Sequence, residues 1–428
     1  MDYVQFALPN QLPVVCVHRP GAKTFAAVLG FRAGFRDEPP GNDGIAHLVE
    51  HLSFRTGNGE AVQALGRKGV FLNAMTGWEQ TMFCAGGHAS LIGDCVTFLR
   101  GVVCGVAHDA DSIRAETEIL AHEYAGQNPA ELQTAHQFNN VISQIIGDPS
   151  LAKHQSAYVR NLGRLRPDAI EQFHSRFYAP ANAFLAVVSP QPADVMRPII
   201  EQHLGDVPAR STRHAPTRQL NPRPVKPLRV WRYPGSQVFL QVIYHFRPLD
   251  RFPYSAVATV CDFLGGGQHS FLFQNIRQQG RMGYNVGSFL NNFTDCAFLG
   301  ASALVHKRYL AAALGQIIHE FDRLRAEGLP SPQFEDTRLR LIRSFDNLED
   351  NPFELCSFLA YENMIAAGRP IRLPEDYRSH LGELTADRLN DVTRELLRPE
   401  NRVVLLTGAV GLLNRWRARR MLKQSLQS

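Results

Sequence analysis

A helix, a proline stop and a buried strand occur twice in this chain, and that repeat restricts the fold more than any other feature. Asp168-Ala169-Ile170 leads through Phe177-Tyr178-Ala179-Pro180-Ala181-Asn182 into the apolar run Phe184-Leu185-Ala186-Val187-Val188. In the second half, Asp387-Arg388-Leu389 leads through Arg398-Pro399-Glu400-Asn401 into Val403-Val404-Leu405-Leu406. Each copy reads as a helix begun near an Asp cap, halted by Pro twelve residues later and followed by a strand. Agreement of that kind points to duplication. Between the copies, from Asp206 to Leu228, the chain is dense in Pro and Arg, which resists both helix and central strand and reads as a linker. The expectation is an α+β chain with one domain at 1–210, a linker at 211–228 and a homologous domain at 229–428. Strands are expected at 24–32, 81–84, 237–246 and 297–299, and helices at 89–104, 111–124, 309–327 and 332–348. Each domain is then a mainly antiparallel sheet covered by helices on one side.

Only the first half carries His47-Leu48-Val49-Glu50-His51, an H-x-x-E-H order. On a helix these three polar side chains stand three and four positions apart and share a face. Two imidazoles and a carboxylate so placed can hold a zinc ion and set a base beside its water. A surface helix with two histidines is the plain alternative. The matching helix of the second half, near 255–264, has no His or Glu, so one metal site per chain is expected. A catalytic zinc also needs a third protein ligand. The segment 114–123 offers Glu116, Glu118, His122 and Glu123. Glu116 and Glu123, seven apart, share a helix face with Ile113 and Leu120, while Glu118 and His122 fall on the opposite side. Carboxylates on an apolar face are costly unless a cation neutralises them. Glu123 is therefore expected as a metal ligand and Glu116 as the group that orients a ligand histidine. An exposed acidic helix is the alternative.

Composition narrows the class without naming it. The chain has 428 residues, 44% hydrophobic and 20% charged, enough for two cores. A net charge of +5 is too weak to imply nucleic acid, and no apolar run is long enough for a membrane span. Seven scattered cysteines without a C-x-x-C pair read as reduced thiols, and the first residues resemble neither a signal nor a transit peptide. A cytoplasmic location is expected. The basic stretch Arg415-Trp416-Arg417-Ala418-Arg419-Arg420 reads as a solvated, frayed helix end or a partner contact.

Taken together, the motifs resemble the M16 metallopeptidases, most closely the short members with one domain pair per chain, such as mitochondrial processing peptidase subunits. Gly44-Ile45-Ala46-His47-Leu48-Val49-Glu50-His51-Leu52-Ser53-Phe54 resembles that family's zinc helix, and Glu116 and Glu123 its paired glutamates. Leu72-Asn73-Ala74-Met75-Thr76, with Glu79 and Thr81, resembles its substrate-binding edge strand. Arg277 and Tyr284 resemble its arginine–tyrosine pair. The resemblance implies a clamshell of α+β domains and a zinc endopeptidase acting on peptides or unstructured segments bound as an added strand. His47, His51 and Glu123 would hold Zn2+, Glu50 would be the base, and Tyr284 would stabilise the oxyanion. Asn73, Ala74 and Arg277 would bind substrate. Because a full chamber takes four such domains, pairing is implied, either as a homodimer or as a heterodimer with an inactive sister chain. Dedicated maturation of one precursor peptide (for a natural product or cofactor) and a non-catalytic scaffold subunit are the alternative functions. The sequence departs from the family in three places. The interval of 72 from His51 to Glu123 is short, Gln127 sits at the customary distance, and Ser53 and Arg55 replace a larger apolar residue and a lysine. Gly265-Gly266-Gly267 resembles the flexible loop of processing-peptidase partners, or is a helix end.

Overall fold

A computed structural model describes residues 2–55, 59–126, 128–152, 158, 161–210, 225–246, 252–365 and 371–425. Gln127 and positions 211–224 of the expected linker lie outside these. The first sheet contains β1 (Tyr3–Ala7), β2 (Pro13–His18), β3 (Thr24–Phe31), β4 (Phe71–Thr76), β5 (Thr81–His88) and β6 (Ala183–Ser189), in the order β1-β2-β6-β3-β5-β4. The second contains β7 (Leu228–Arg232), β8 (Gln237–Phe246), β9 (Gly283–Asn292), β10 (Ala297–His306) and β11 (Arg402–Gly408), in the order β7-β11-β8-β10-β9. Without β1 the two orders coincide strand for strand. Each sheet has one parallel pairing, β2 with β6 and β7 with β11, and is otherwise antiparallel.

The helices repeat as well. In the first half, α1 (Ile45–Ser53) and α2 (Gly59–Arg67) join β3 to β4. After β5 come α3 (Ile92–Cys104), α4 (Ala110–Ala125) and α5 (Pro129–Ile146), while α6 (Pro167–Phe177) precedes β6 and α7 (Ala193–Leu204) follows it. In the second half, α8 (Tyr254–Gly265) and a π-helical turn, Phe273–Gln279, lead into β9. Then come α9 (Leu310–Glu327), α10 (Ser331–Asp350), α11 (Pro352–Ile365), α12 (Pro374–Gly382), α13 (Ala386–Leu396) and, after β11, α14 (Leu412–Ser425). The repeated helix–proline–strand module has matching lengths in both copies: eleven residues of helix, three of 3-10 turn and seven of strand.

Four expectations need correction. Asp168 and Asp387 lie in the first helical turn and not at the caps, which are Arg166 and Thr385; the Thr385 hydroxyl accepts from the Arg388 amide. The first sheet is covered on both faces. Its outer face packs against α11, with Leu355, Cys356, Leu359 and Met364 buried there. Seven of the eight β3 residues are buried, the continuous pattern of a two-sided strand. Gly30 permits this approach, since a Cβ there would fall on the Met364 thioether. The compact units are accordingly not contiguous halves. Residues 346–373 count with the first unit and residues 133–147 with the second. Lastly, the basic C-terminal stretch is no frayed end: it lies within α14, anchored by buried Ala418 and Leu422. Gly265 closes α8 and Gly266 is its C-cap, which favours the helix-end reading of the glycine run. Among the described residues all seven cysteines are free, and no helix is long and apolar enough to cross a membrane.

Candidate metal centre

The sequence Ile45-Ala46-x-Leu48-Val49-x-x-Leu52 gives α1 one fully buried face, and the remaining positions 47, 50 and 51 are the polar ones. Burying those three large aliphatic side chains and Ile45 contributes roughly 1.5–3 kcal/mol each, which fixes the helix against its sheet. Its start is held in an unusual way. Gly44 caps it with φ of 94°, a left-handed conformation that favours glycine. The capping anion comes from Glu38, whose Oε1 accepts from the amides of Gly44 at 3.0 Å and Ala46 at 3.2 Å.

With α1 so placed, ligand-type atoms of His47, Glu50 and His51 all lie within 4.8 Å of one another. Among the described residues no other group of three such side chains converges in this way. The imidazoles are each held from behind. His47 Nδ1 lies 3.0 Å from the Tyr124 hydroxyl, and His51 Nδ1 donates to Glu116 Oε2 at 2.9 Å. That leaves both Nε2 atoms for the open side of the cluster. Glu123, from the same helix as Glu116 and Tyr124, brings Oε1 to 3.8 Å from His51 Nε2; its side chain is 47% exposed. Ligands about 2.0 Å from a tetrahedral ion stand roughly 3.3 Å apart, so this separation is near what a shared ion requires. Glu50 is buried, and its Oε2 accepts from the Thr76 hydroxyl at 2.6 Å.

The charges also call for a cation. Three carboxylates, Glu50, Glu116 and Glu123, act on His51, with one guanidinium, Arg55, beside Glu116. With neutral imidazoles the excess is two negative charges, which a dication would cancel. The titration behaviour reflects the same imbalance. Burial, aided by the charge of His51, pushes His47 down to about 4. Burial alone would lower His51 too, but its bond to Glu116 and the charges of Glu50, Glu123 and Glu116 hold it above the ordinary value. Glu50 is raised, chiefly by burial, against the Thr76 bond and the charge of His51. Burial would raise Glu116, yet the bonds from His51 and Arg55 keep it below the usual carboxylate range. The donor set, two oriented imidazoles and an adjacent carboxylate with another beside the open position, suits zinc.

Asn73 and Ala74 lie on β4, the edge strand of the first sheet, which among the described residues pairs only with β5. Asn73 is exposed and Ala74 half-buried. Thr76, at the end of the same strand, is the residue that touches Glu50. Arg277 and Tyr284 belong to the second unit. Arg277 sits in the π-helical turn with its guanidinium 4.4 Å from the ring centre of Tyr284, which is 76% exposed at the start of the edge strand β9. Sequence reasoning missed three supporting residues. Tyr124 continues the buried stripe of Glu116 and Leu120 by helical phase and could have been found. Thr76 shares a strand face with Leu72 and Ala74, but only the packing of α1 against β4 brings it to Glu50. Glu38 has no local signal.

The insulinase model of peptidase family M16 matches residues 13–154, and the model of the M16 inactive domain matches residues 164–341. A zinc protease of Mycobacterium leprae, described as uncharacterized, is 27% identical over 306 residues, 69% of this chain and 67% of that protein. Coenzyme PQQ synthesis protein F of Pseudomonas aeruginosa is 29% identical over 224 residues, 49% of this chain and 28% of that protein. The fold is similar to the crystal structure of a protease from Helicobacter pylori, with a TM-score of 0.83 at 17% identity, covering 95% of this chain and 99% of that one. This chain belongs to peptidase family M16.

Proposed function

We propose that the protein is a zinc-dependent endopeptidase that hydrolyses short peptides or unstructured segments. The observation that carries this reading is the convergence of His47, Glu50 and His51 beside a sheet edge whose last residue, Thr76, touches Glu50. His47, His51 and Glu123 would hold one zinc ion per chain, which when bound acidifies a water and polarises the carbonyl to be cleaved. Glu50 takes the proton from the attacking water and passes it to the departing amine. Its burial favours this exchange, because a raised carboxyl moves closer to the working pH. An extended peptide adds itself to the free edge of β4, with main-chain bonds near Ala74 giving affinity and Asn73 setting register. A folded protein has no such strand to offer, which limits substrates to unstructured segments. Tyr284 would donate to the developing oxyanion and Arg277 would bind substrate main chain.

Two copies would pair in this reading, each zinc-bearing unit served by the Arg277 and Tyr284 of one chain or the other, in the cytoplasm. A second reading is dedicated maturation of one precursor peptide, with an inactive sister chain as partner; similarity to a protein of coenzyme PQQ synthesis favours it. A scaffold without activity is disfavoured by the convergence of His47, Glu50 and His51, with Glu123 3.8 Å from His51. The test is cleavage of a quenched fluorescent peptide by the wild type and Glu50→Gln, with zinc content measured in both. Loss of cleavage with zinc retained is expected. Equal cleavage in both proteins would overturn the assignment.

A further inference from the structure

We propose that Arg55 is a positioning residue of the metal centre, which holds Glu116 as the orienting partner of His51 and keeps it from becoming a ligand. This rests on the zinc reading above and concerns the layer behind it. The Glu116 carboxylate is divided between two partners. Its Oε2 accepts from His51 Nδ1 at 2.9 Å, and its Oε1 accepts from Arg55 Nε. A carboxylate held on one oxygen can turn about its last bond and offer the other to a nearby dication, whereas one gripped on both cannot. Two of the α4 glutamates reach His51, Glu116 at Nδ1 and Glu123 at Nε2. Of the two, Glu116 is the one with a guanidinium on its far oxygen. Arg55 stands four residues beyond His51, just past the Phe54 C-cap of α1, so the same chain segment carries the imidazole and the cation that brackets its partner.

The guanidinium could instead weaken zinc binding by repulsion. Its side chain is 43% exposed, so water screens that repulsion, while the Glu116 side chain is only 8% exposed and its orientation is not a screened quantity. Positioning therefore outweighs repulsion, and loss of Arg55 weakens the metal.

The experiment measures zinc dissociation constants of the full chain by competition with a chromophoric chelator. The proteins are wild type, R55A, R55Q, R55K, E116Q and the double variant R55A with E116Q. R55A and R55Q should each weaken zinc about tenfold, the lower end for groups that orient ligands. R55K should stay within about threefold, because one charged donor to Oε1 remains. In the E116Q background R55A should cost nothing more, since Arg55 acts through that carboxylate. Affinity in R55A and R55Q equal to or tighter than wild type overturns the proposal, as does the same loss with and without Glu116. A wild type that binds no zinc overturns the metal reading itself, a distinct outcome from a zinc-binding wild type matched by its Arg55 variants.

Discussion

The helix α1 and its counterpart α8 occupy the same place in two sheets of the same strand order, yet they neutralise charge in opposite ways. On α1, His51 meets Glu116 and Glu123 of α4 beside His47 and Glu50, which with neutral imidazoles leaves two negative charges for an outside cation to cancel. On α8, Asp262 meets Arg340 of α10, which follows β10 as α4 follows β5, at 2.9 Å from Nε. The second site is complete by itself. A duplicated scaffold thus carries a candidate metal centre in one copy and a salt bridge in the other, and the surrounding sheets need not change.

The largest expected effect breaks the chemistry and spares the scaffold. Glu50→Gln should reduce peptide cleavage by roughly a thousandfold while zinc content stays at wild-type level, measured by turnover and elemental analysis. Retained turnover would place the base elsewhere.

Acid should separate the two halves next. His174 on α6 is buried and its Nε2 donates to the Val102 carbonyl at 2.8 Å, while Thr393 holds the matching position on α13. Burial pushes His174 down from 6.5 to about 4. In that interval the unfolded chain binds the extra proton and the folded one does not. Its stabilising contribution is complete above pH 6.5 and is lost as pH falls towards 4, by about 3 kcal/mol. H174Q, which can still donate to that carbonyl, should flatten the loss in chemical denaturation at pH 7 and pH 4.5. An unchanged slope would mean His174 is not the group responsible.

Arg340→Ala should cost about 1–2 kcal/mol, discounted because the guanidinium is partly exposed, and should leave zinc affinity alone. A changed zinc affinity would show that the halves are not independent in this respect. The smallest effect is expected from Thr76→Val, which takes away the hydroxyl that donates to Glu50 at 2.6 Å. Turnover should fall about tenfold, equivalent to one ordinary hydrogen bond to a charged group, with zinc retained. Loss of zinc instead would assign Thr76 to holding the fold of the site.

Much of this was legible in residues taken in order. The module around Pro180 and Pro399 announced two like sheets, because proline placement and apolar runs are local signals. Helical phase put Glu116 and Glu123 on one face, and the structure adds their different depths, Glu116 buried and Glu123 open. The outer cover of the first sheet was hinted at by the unbroken apolar run of β3, but nothing in that run says its cover is α11, some 320 residues later. Arg55 stood in the sequence only as a departure from the family pattern, since its contact with Glu116 depends on where α4 packs.

What the sequence alone determined is the inventory and its local spacing: two homologous modules, three polar groups on one face of α1, and two glutamates on one face of α4. These follow from periods of 3.6 and 2, which any stretch of chain carries within itself. Tertiary structure decided which groups touch: Tyr124 behind His47, Glu116 between His51 and Arg55, Thr76 against Glu50, and Glu38 at the start of α1. Hydrogen bonds and charge compensation act over about 3 Å, and residues far apart in the chain come that close only once the apolar faces have packed.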